Sequence, residues 1–337
     1  MRRGNLFATI VVAALLVAAA NWEVERASVN SLPRQLIRKI AAGAPVVDVL
    51  GIGDSLVYAG IDPESLQNTF RQAGQPIAVM NAGMAGSIDI EQLALTRVAL
   101  RSHTVRNLIY GFFDQQMSPG PPLKNSELTG FHAMLYYQEP ESTLRYAQFG
   151  LADVVAFQVY RRFALLRERG NVWAKVEKTR RAMDQMGMPL KETNQFGFVA
   201  QFSEFGDPQE FARRCEEIMR SGNFLSAARQ ALFREAESSG ARVTVVEMPV
   251  HPLHAARYYD LPAWKAFRTQ DRLAVERAGA AYIDASLWIP DAGDFQDHLH
   301  LTAPGAARFS RLLAQELLRR DGNQRLSHAN PVTLSSQ

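Results

Sequence analysis

The chain has 337 residues, of which 47% are hydrophobic, 21% charged and 9% aromatic, a composition typical of a folded globular protein and not of a disordered or fibrous one. Its 37 lysines and arginines and 34 acidic residues give a net charge of +3. Because the basic residues form no long run, the sequence does not indicate a nucleic-acid partner. The single cysteine, Cys215, excludes an internal disulfide and a cysteine-based zinc cluster.

The N-terminus has the pattern of an export signal. Arg2 and Arg3 precede 15 apolar or small residues, from Leu6 to Ala20, and Trp22 follows them. As a helix this run would be about 22 Å long, shorter than a hydrocarbon core of about 30 Å. We therefore predict that residues 1–22 are either a cleaved signal peptide or an uncleaved signal anchor. In both cases the rest of the chain lies outside the cytoplasm.

After this segment, short apolar strands alternate with helices. Residues 23–44 predict a stalk or first surface helix. Strands are predicted at residues 46–51, 77–81, 108–112, 242–248 and 281–284, and helices at 62–73, 89–101, 223–239, 262–278 and 303–320. This alternation predicts an α/β fold in which helices cover both faces of a parallel sheet.

The third and fourth strands are separated by about 125 residues, too many for an ordinary crossover. We predict a helical insertion at about residues 115–240, with helices near 142–169, 171–186 and 207–220. The folded domain is expected to cover residues 45–322. Residues 323–337 are expected to be a disordered tail.

Two segments far apart in the chain carry residues suited to nucleophilic catalysis. Ser55 comes just after the first strand, at the end of a parallel strand where α/β sheets build their sites. A serine hydroxyl needs a base to take its proton, and the base needs an orienting carboxylate. Asp297 and His300 lie three residues apart before the last helix, so the carboxylate can reach the imidazole Nδ1 hydrogen. The sequence thus predicts a triad of Ser55, His300 and Asp297.

Three segments resemble motif blocks of the SGNH, or GDSL, hydrolases, a family of serine esterases and acyltransferases. Residues 53–56 (Gly-Asp-Ser-Leu) match the nucleophile block, and residues 81–87 (Asn-Ala-Gly-Met-Ala-Gly-Ser) are similar to the second block. Asp297 and His300 match the last block, Asp-x-x-His. In this family the second block supplies a backbone N–H to the oxyanion hole, which implies that role for Gly86.

The resemblance covers residues 46–114 and 242–320, and it implies a flavodoxin-like three-layer α/β/α fold. The third block departs from the family pattern of Gly-x-Asn-Asp, since residues 111–114 are Gly-Phe-Phe-Asp. Phe113 replaces the asparagine and cannot donate a hydrogen bond to an oxyanion. Gln115 would point to the same side of an extended chain and is the candidate replacement donor.

Together, the resemblance and the export signal predict an extracytoplasmic serine esterase or O-acyltransferase acting on acyl esters of an envelope or secreted polysaccharide. Its expected partners are an acylated glycan or small acyl ester, the membrane if residues 1–22 are retained, and an envelope polysaccharide machinery. A lipid-ester or thioester hydrolase is an alternative. Another, which Phe113 favours, is a non-catalytic glycan-binding subunit of a polysaccharide export machinery.

No cofactor is expected. His251, His254 and His298 lack the helical spacing of a zinc-binding histidine pair, so no metal site is predicted. Asp54 and Asn81 are expected to stabilise turns.

Overall fold

The centre of the fold is a five-stranded parallel sheet with strand order β2-β1-β3-β4-β5. Its strands are β1 (Val46–Ile52), β2 (Val79–Asn81), β3 (Thr104–Phe112), β4 (Arg242–Glu247) and β5 (Ala281–Asp284). The structure is a computed structural model and describes residues 3–28, 31–114, 123, 127–130, 132–170 and 206–329. This strand order is the flavodoxin-like one that was predicted. From β1 the chain places β2 on one side and β3 on the other, so the carboxyl ends of β1 and β3 border a crevice.

The described helices alternate with these strands. They are α1 (Arg3–Ser28), α2 (Leu32–Ala41), α3 (Ser55–Gly60), α4 (Pro63–Gln72), α5 (Asp89–Ser102), α6 (Ala133–Gln138), α7 (Pro140–Tyr146), α8 (Leu151–Arg162), α9 (Ala164–Arg167), α10 (Pro208–Ser221), α11 (Ala227–Ser238), α12 (Pro252–Tyr258), α13 (Pro262–Arg277) and α14 (Ala303–Ala329). Short 3-10 helices cover Glu127–Thr129 and Ala292–Asp294.

Each face of the sheet packs against its own apolar cluster. Along β3, Leu108 and Tyr110 belong to the cluster shared with α5 and α11, whereas Ile109 belongs to the cluster shared with α4 and α14. Successive side chains of a strand point to opposite faces, so a strand buried on both sides is apolar at consecutive positions. The three-layer α/β/α fold is therefore confirmed.

Several elements differ from their predicted bounds. Strand β3 begins at Thr104, four residues before the predicted start. Its first residues alternate between exposed and buried and lack a continuous apolar run, so the prediction missed them. The short helices α3, α6 and α12 were not predicted. Helix α14 continues to Ala329 and so enters the segment that was predicted to be a disordered tail.

The segment between β3 and β4 is helical, as predicted, and its described part packs into both layers. Helices α6, α7 and α11 contact α5 on one side of the sheet, and α10 contacts α13 on the other. On α10, Phe211, Cys215 and Ile218 are buried, and their spacing of three to four residues forms one helical face. The predicted helix at 171–186 lies outside the described residues.

Helix α1 is longer than the predicted apolar run. Among the described residues it is the one helix whose length and composition, over Phe7–Ser28, would allow it to cross a membrane. The C-terminal part of α1 contacts the folded body, where Asn21 Oδ1 accepts a hydrogen bond of 3.0 Å from the Leu165 amide. Glu25 also pairs with Arg34 and Arg167. The apolar helix is thus attached to the domain through polar groups at its C-terminal end.

Candidate active site

The structure brings the three predicted triad residues together. Ser55 Oγ lies 2.8 Å from His300 Nε2, although the two residues are 245 positions apart in the chain. His300 Nδ1 lies 2.8 Å from Asp297 Oδ2. Both distances are normal for hydrogen bonds. The hydroxyl, imidazole and carboxylate therefore form the relay in which a histidine can remove the serine proton.

Asp297 is held by backbone as well as by the imidazole. Its Oδ1 accepts hydrogen bonds of 2.8 Å from the amides of Leu299 and His300. Burial alone would raise the pKa of Asp297, but the hydrogen bonds from His300 and Leu299 favour the ionised form and lower the pKa to about 2. The carboxylate consequently stays charged at neutral pH and can hold a proton on His300 Nδ1.

Ser55 is the first residue of the short helix α3, directly after the end of β1. Asp54 caps this helix, since its side chain accepts a 2.9 Å hydrogen bond from the Leu56 amide. Asp54 is buried, and this burial raises its pKa to about 6. The expectation that Asp54 stabilises its own turn is confirmed.

Asn81 fixes the other side of α3. Its Nδ2 donates hydrogen bonds to the carbonyl oxygens of Val57 at 2.9 Å and Ile61 at 2.7 Å. Its Oδ1 accepts one of 2.9 Å from the amide of Gly83. The side chain thus joins α3 to the loop after β2, which confirms that Asn81 is a structural residue.

The loop after β2 carries the predicted oxyanion donor, Gly86. Its φ of +70° lies in the left-handed region that glycine adopts at little cost. The loop is joined to the nucleophile turn because Met84 N and Ser87 Oγ each donate to Gly53 O at 3.0 Å. Within the described part of the chain, neither Gly86 N–H nor Ser55 N–H donates to another group. The predicted role of Gly86 as an oxyanion donor stays a prediction.

Phe113 does not offer a polar group to the site. Its side chain is 6% exposed and belongs to the same apolar cluster as Leu56 and Val57 of α3. An amide at this position would replace apolar packing, so the structure explains why phenylalanine is stable there. Gln115, the candidate replacement donor, lies outside the described residues.

A second carboxylate and imidazole pair lies behind the triad and was not predicted. Asp114 Oδ2 and His254 Nε2 are 2.5 Å apart, and both side chains are almost fully buried. The His254 ring stacks on the His298 ring at 5.9 Å, and the His298 carbonyl accepts a hydrogen bond from the His251 amide. These contacts support the loop that carries Asp297. The sequence signal was that Asp114 comes just after β3 and that His254 lies in the first helix after β4.

Among the described residues, no group of three or more histidine, cysteine, aspartate or glutamate side chains is arranged to hold a metal ion. The histidines near the triad instead make protein contacts. Burial lowers the pKa of both His251 and His298, which favours their neutral forms.

Comparison with known proteins found no matching family model and no matching curated protein. Among solved structures, the chain is similar to a lipase/acylhydrolase from Enterococcus faecalis, with 12% identity, a TM-score of 0.40 and coverage of 82% of this chain and 97% of that one. It is also similar to a GDSL-like lipase from Bacteroides thetaiotaomicron, with 8% identity, a TM-score of 0.39 and coverage of 86% of this chain and 98% of that one. A third similar structure is a psychrotrophic esterase from Pseudoalteromonas, with 12% identity, a TM-score of 0.34 and coverage of 83% of this chain and 98% of that one.

The structure places the motif blocks as the sequence predicted. The three matching blocks lie at the ends of neighbouring strands or before the last helix. Side chains of the first and last blocks, Ser55, His300 and Asp297, meet through hydrogen bonds. The strand order is the flavodoxin-like one that the resemblance implied. The fold that the resemblance implied is therefore confirmed.

Proposed function

We propose that this chain is a serine ester hydrolase or acyltransferase of the SGNH type. The observation that carries the proposal is the continuous hydrogen-bonded relay from Ser55 through His300 to Asp297. A serine outside such a relay is a weak nucleophile, whereas a serine bonded to an oriented imidazole can be activated at neutral pH.

In the first step, Ser55 Oγ attacks the acyl carbonyl carbon while its proton moves to His300 Nε2. The negative charge of Asp297 stabilises the resulting imidazolium. The carbonyl oxygen gains negative charge, and the amides of Ser55 and Gly86 are the proposed donors to it. When the carbonyl re-forms, the bond to the leaving alcohol breaks and His300 returns its proton to that alcohol.

The second step releases the acyl group from Ser55. His300 removes a proton from the incoming acceptor, whose oxygen attacks the ester carbonyl of the acyl-enzyme. When the carbonyl re-forms, the bond to Ser55 Oγ breaks and His300 returns the proton to that oxygen. Water as the acceptor gives hydrolysis, and a sugar hydroxyl gives acyl transfer. Both outcomes use the same three side chains, so the relative access of water and alcohol decides between them.

We further propose that the site lies outside the cytoplasm and that α1 is an uncleaved anchor. The apolar part of α1 supports this, because its side chains are exposed to the surroundings while its C-terminal end is bonded to the body. The positive residues Arg2 and Arg3 precede the apolar run, which favours a cytoplasmic N-terminus.

An extracytoplasmic site faces the acyl esters of envelope or secreted polysaccharides, which we propose as the substrates. The complete triad argues against a purely glycan-binding subunit. A lipid ester or thioester would pass through the same two steps. Turnover by the purified full chain should therefore be compared on an acetylated polysaccharide, a phospholipid and an acyl thioester. Preference for either of the latter two would replace the polysaccharide assignment.

The catalytic assignment is tested by covalent labelling of the full chain with a fluorophosphonate probe. We expect wild type to be labelled, and Ser55→Ala and His300→Ala to lose both labelling and turnover of a small activated acetate. Ser102→Ala provides a matched control, because Ser102 is an exposed serine at the end of α5. Unchanged labelling of Ser55→Ala would show that Ser55 is not the nucleophile, provided that circular dichroism shows folded protein in every sample.

A further inference from the structure

Helix α8 exposes an apolar stripe. Leu151, Val155 and Val159 recur every four residues and therefore lie on one face. Leu151 is 83% and Val155 57% exposed. Phe163, at the C-terminal cap of α8, and Leu166 of α9 are also exposed. These five residues, the α8–α9 stripe, form an exposed apolar surface of a kind that marks interaction sites.

The orientation of α8 is fixed from its other side. Phe157 is fully buried, and its ring stacks on Tyr137 at 5.0 Å and packs against Phe149 at 5.9 Å. Because α8 already buries one apolar face in the body, the stripe is an additional apolar face with no core beneath it.

The stripe lies where α1 meets the body. The hydrogen bond from the Leu165 amide to Asn21 places α9 beside the last apolar turn of α1. Trp22, the next residue, is exposed and stacks with Arg26 at 5.3 Å. Tryptophan at this position is typical of the boundary between lipid and water. If α1 crosses a bilayer, α9 and the end of the stripe are therefore at the depth of that boundary.

Basic residues border the stripe. Arg161 and Arg162 are exposed at the end of α8, directly before Phe163 of the stripe. An apolar helical face next to arginines is the pattern of helices that lie in the membrane interface, where side chains enter the acyl boundary and cations meet anionic headgroups.

We propose that the α8–α9 stripe lies in the surface of the same bilayer that α1 crosses, and that its partner is anionic lipid. The inference rests on the proposed anchoring by α1. Attachment at two places, the spanning helix and the stripe, fixes the orientation of the catalytic domain relative to the membrane. A single helix would leave the domain free to tilt.

The test uses the full chain in nanodiscs of phosphatidylcholine and phosphatidylglycerol. Val155→Cys would be labelled with an environment-sensitive fluorophore, and the lipids would carry a spin-label quencher on their acyl chains. Leu273→Cys on α13 is the matched control, because Leu273, like Val155, is an exposed aliphatic residue on a helix. Native Cys215 is fully buried and burial raises its pKa to about 12, so it should not react.

We expect the probe at residue 155 to shift to the blue and to be quenched about twofold by the lipid spin label, as for a side chain buried in the interface. The probe at residue 273 should show neither change. An unquenched probe at residue 155 would overturn the proposal. A blue shift without quenching would likewise overturn it, because a protein surface would then cover the stripe.

A second variant separates membrane contact from catalysis. Val155→Glu should reduce quenching of a probe placed at residue 159, because a carboxylate opposes entry into the interface. Labelling of Ser55 by a fluorophosphonate should be unchanged. Reduced quenching with unchanged labelling of Ser55 would support contact between the stripe and the membrane. Absence of labelling in the wild type would contradict the proposed function, but it would not affect the quenching measurement, which tests membrane contact alone. Full quenching in Val155→Glu would contradict the proposal.

Discussion

Two carboxylates beside Ser55 have opposite pKa shifts because their surroundings differ. Burial raises the pKa of Asp297, but its hydrogen bonds to His300 and Leu299 more than offset this and lower the value to about 2. Asp54 is more deeply buried and accepts fewer hydrogen bonds, so burial dominates and raises the pKa to about 6. The carboxylate that stays ionised at neutral pH, Asp297, is thus the one with more hydrogen-bond donors.

The pKa of Asp54 predicts a pH-dependent stability. Its folded-state value of about 6 exceeds the ordinary value of 3.8, so the native state binds the proton more tightly and loses stability as pH rises from about 4 to 6. Asp54→Asn keeps a good helix cap without the charge. At pH 8 we expect the variant to be more stable by about 3 kcal/mol, from 1.36 kcal/mol per pKa unit.

Urea unfolding of both proteins at pH 4, 6 and 8 measures this effect. The difference in unfolding free energy should be below about 1 kcal/mol at pH 4, where the folded side chain is neutral and the unfolded one is only partly ionised, and should grow to its full value by pH 8. A difference that is constant across this range would show that Asp54 does not carry the assigned cost.

At the scale of elements, the position of α3 depends on close contact between backbones. A Cβ added to Gly83 would lie 2.9 Å from the carbonyl carbon of Val57 and closer still to the amide nitrogen of Tyr58. Both neighbours are backbone atoms of α3, so a side chain at this position must displace the nucleophile helix. Glycine is required here by the approach of α3 to the loop after β2.

We therefore expect Gly83→Ala to move Ser55 relative to His300 and to lower the rate of fluorophosphonate labelling by about 10²-fold, as for a reacting group misplaced by about 1 Å. Gly74→Ala is the matched control. Gly74 has a φ of +75° and no atom within 4 Å of an added Cβ, so we expect it to cost about 1 kcal/mol of stability and to leave the labelling rate unchanged. Equal labelling rates of Gly83→Ala and wild type would contradict this account of α3.

At the scale of the whole molecule, α1 and the body form one attached unit. Glu25 near the end of α1 contacts Arg34 of α2 and Arg167 of α9, and Arg167 also contacts Glu168. Charged groups that are partly buried need such partners, because an isolated buried charge is costly. The attachment therefore fixes the end of the apolar helix at a defined place on the domain.

The orientation of the molecule is tested by a reporter fused after Gln337 that is active only outside the cytoplasm. Because positive residues before an apolar helix favour a cytoplasmic N-terminus, we expect the full-chain fusion to be active. A matched fusion without residues 1–22 should be inactive. Cytoplasmic location of the full-chain reporter would remove envelope polysaccharides from the proposed substrates.

Local features of the sequence determined much of the site. The alternation of strands and helices predicted the sheet type, and the position of Ser55 after β1 placed it at the edge where sites form. The spacing of Asp297 and His300 predicted their contact because three residues of a loop can bring the two side chains together. The helix predicted at residues 62–73 likewise depends on local residues, since Asp62 caps α4 by accepting from the amides of Glu64 and Ser65.

Other features depend on contacts between distant segments, and only the tertiary structure decided them. The bond between Ser55 and His300 joins residues 245 positions apart, and the Asp114 and His254 pair joins residues 140 positions apart, one just after β3 and one in α12. The pKa of Asp54 depends on how deeply packing buries it. Turn chemistry, capping and strand length are set by a few neighbouring residues, whereas burial and long-range pairing arise when the whole chain packs, so no short stretch of sequence specifies them.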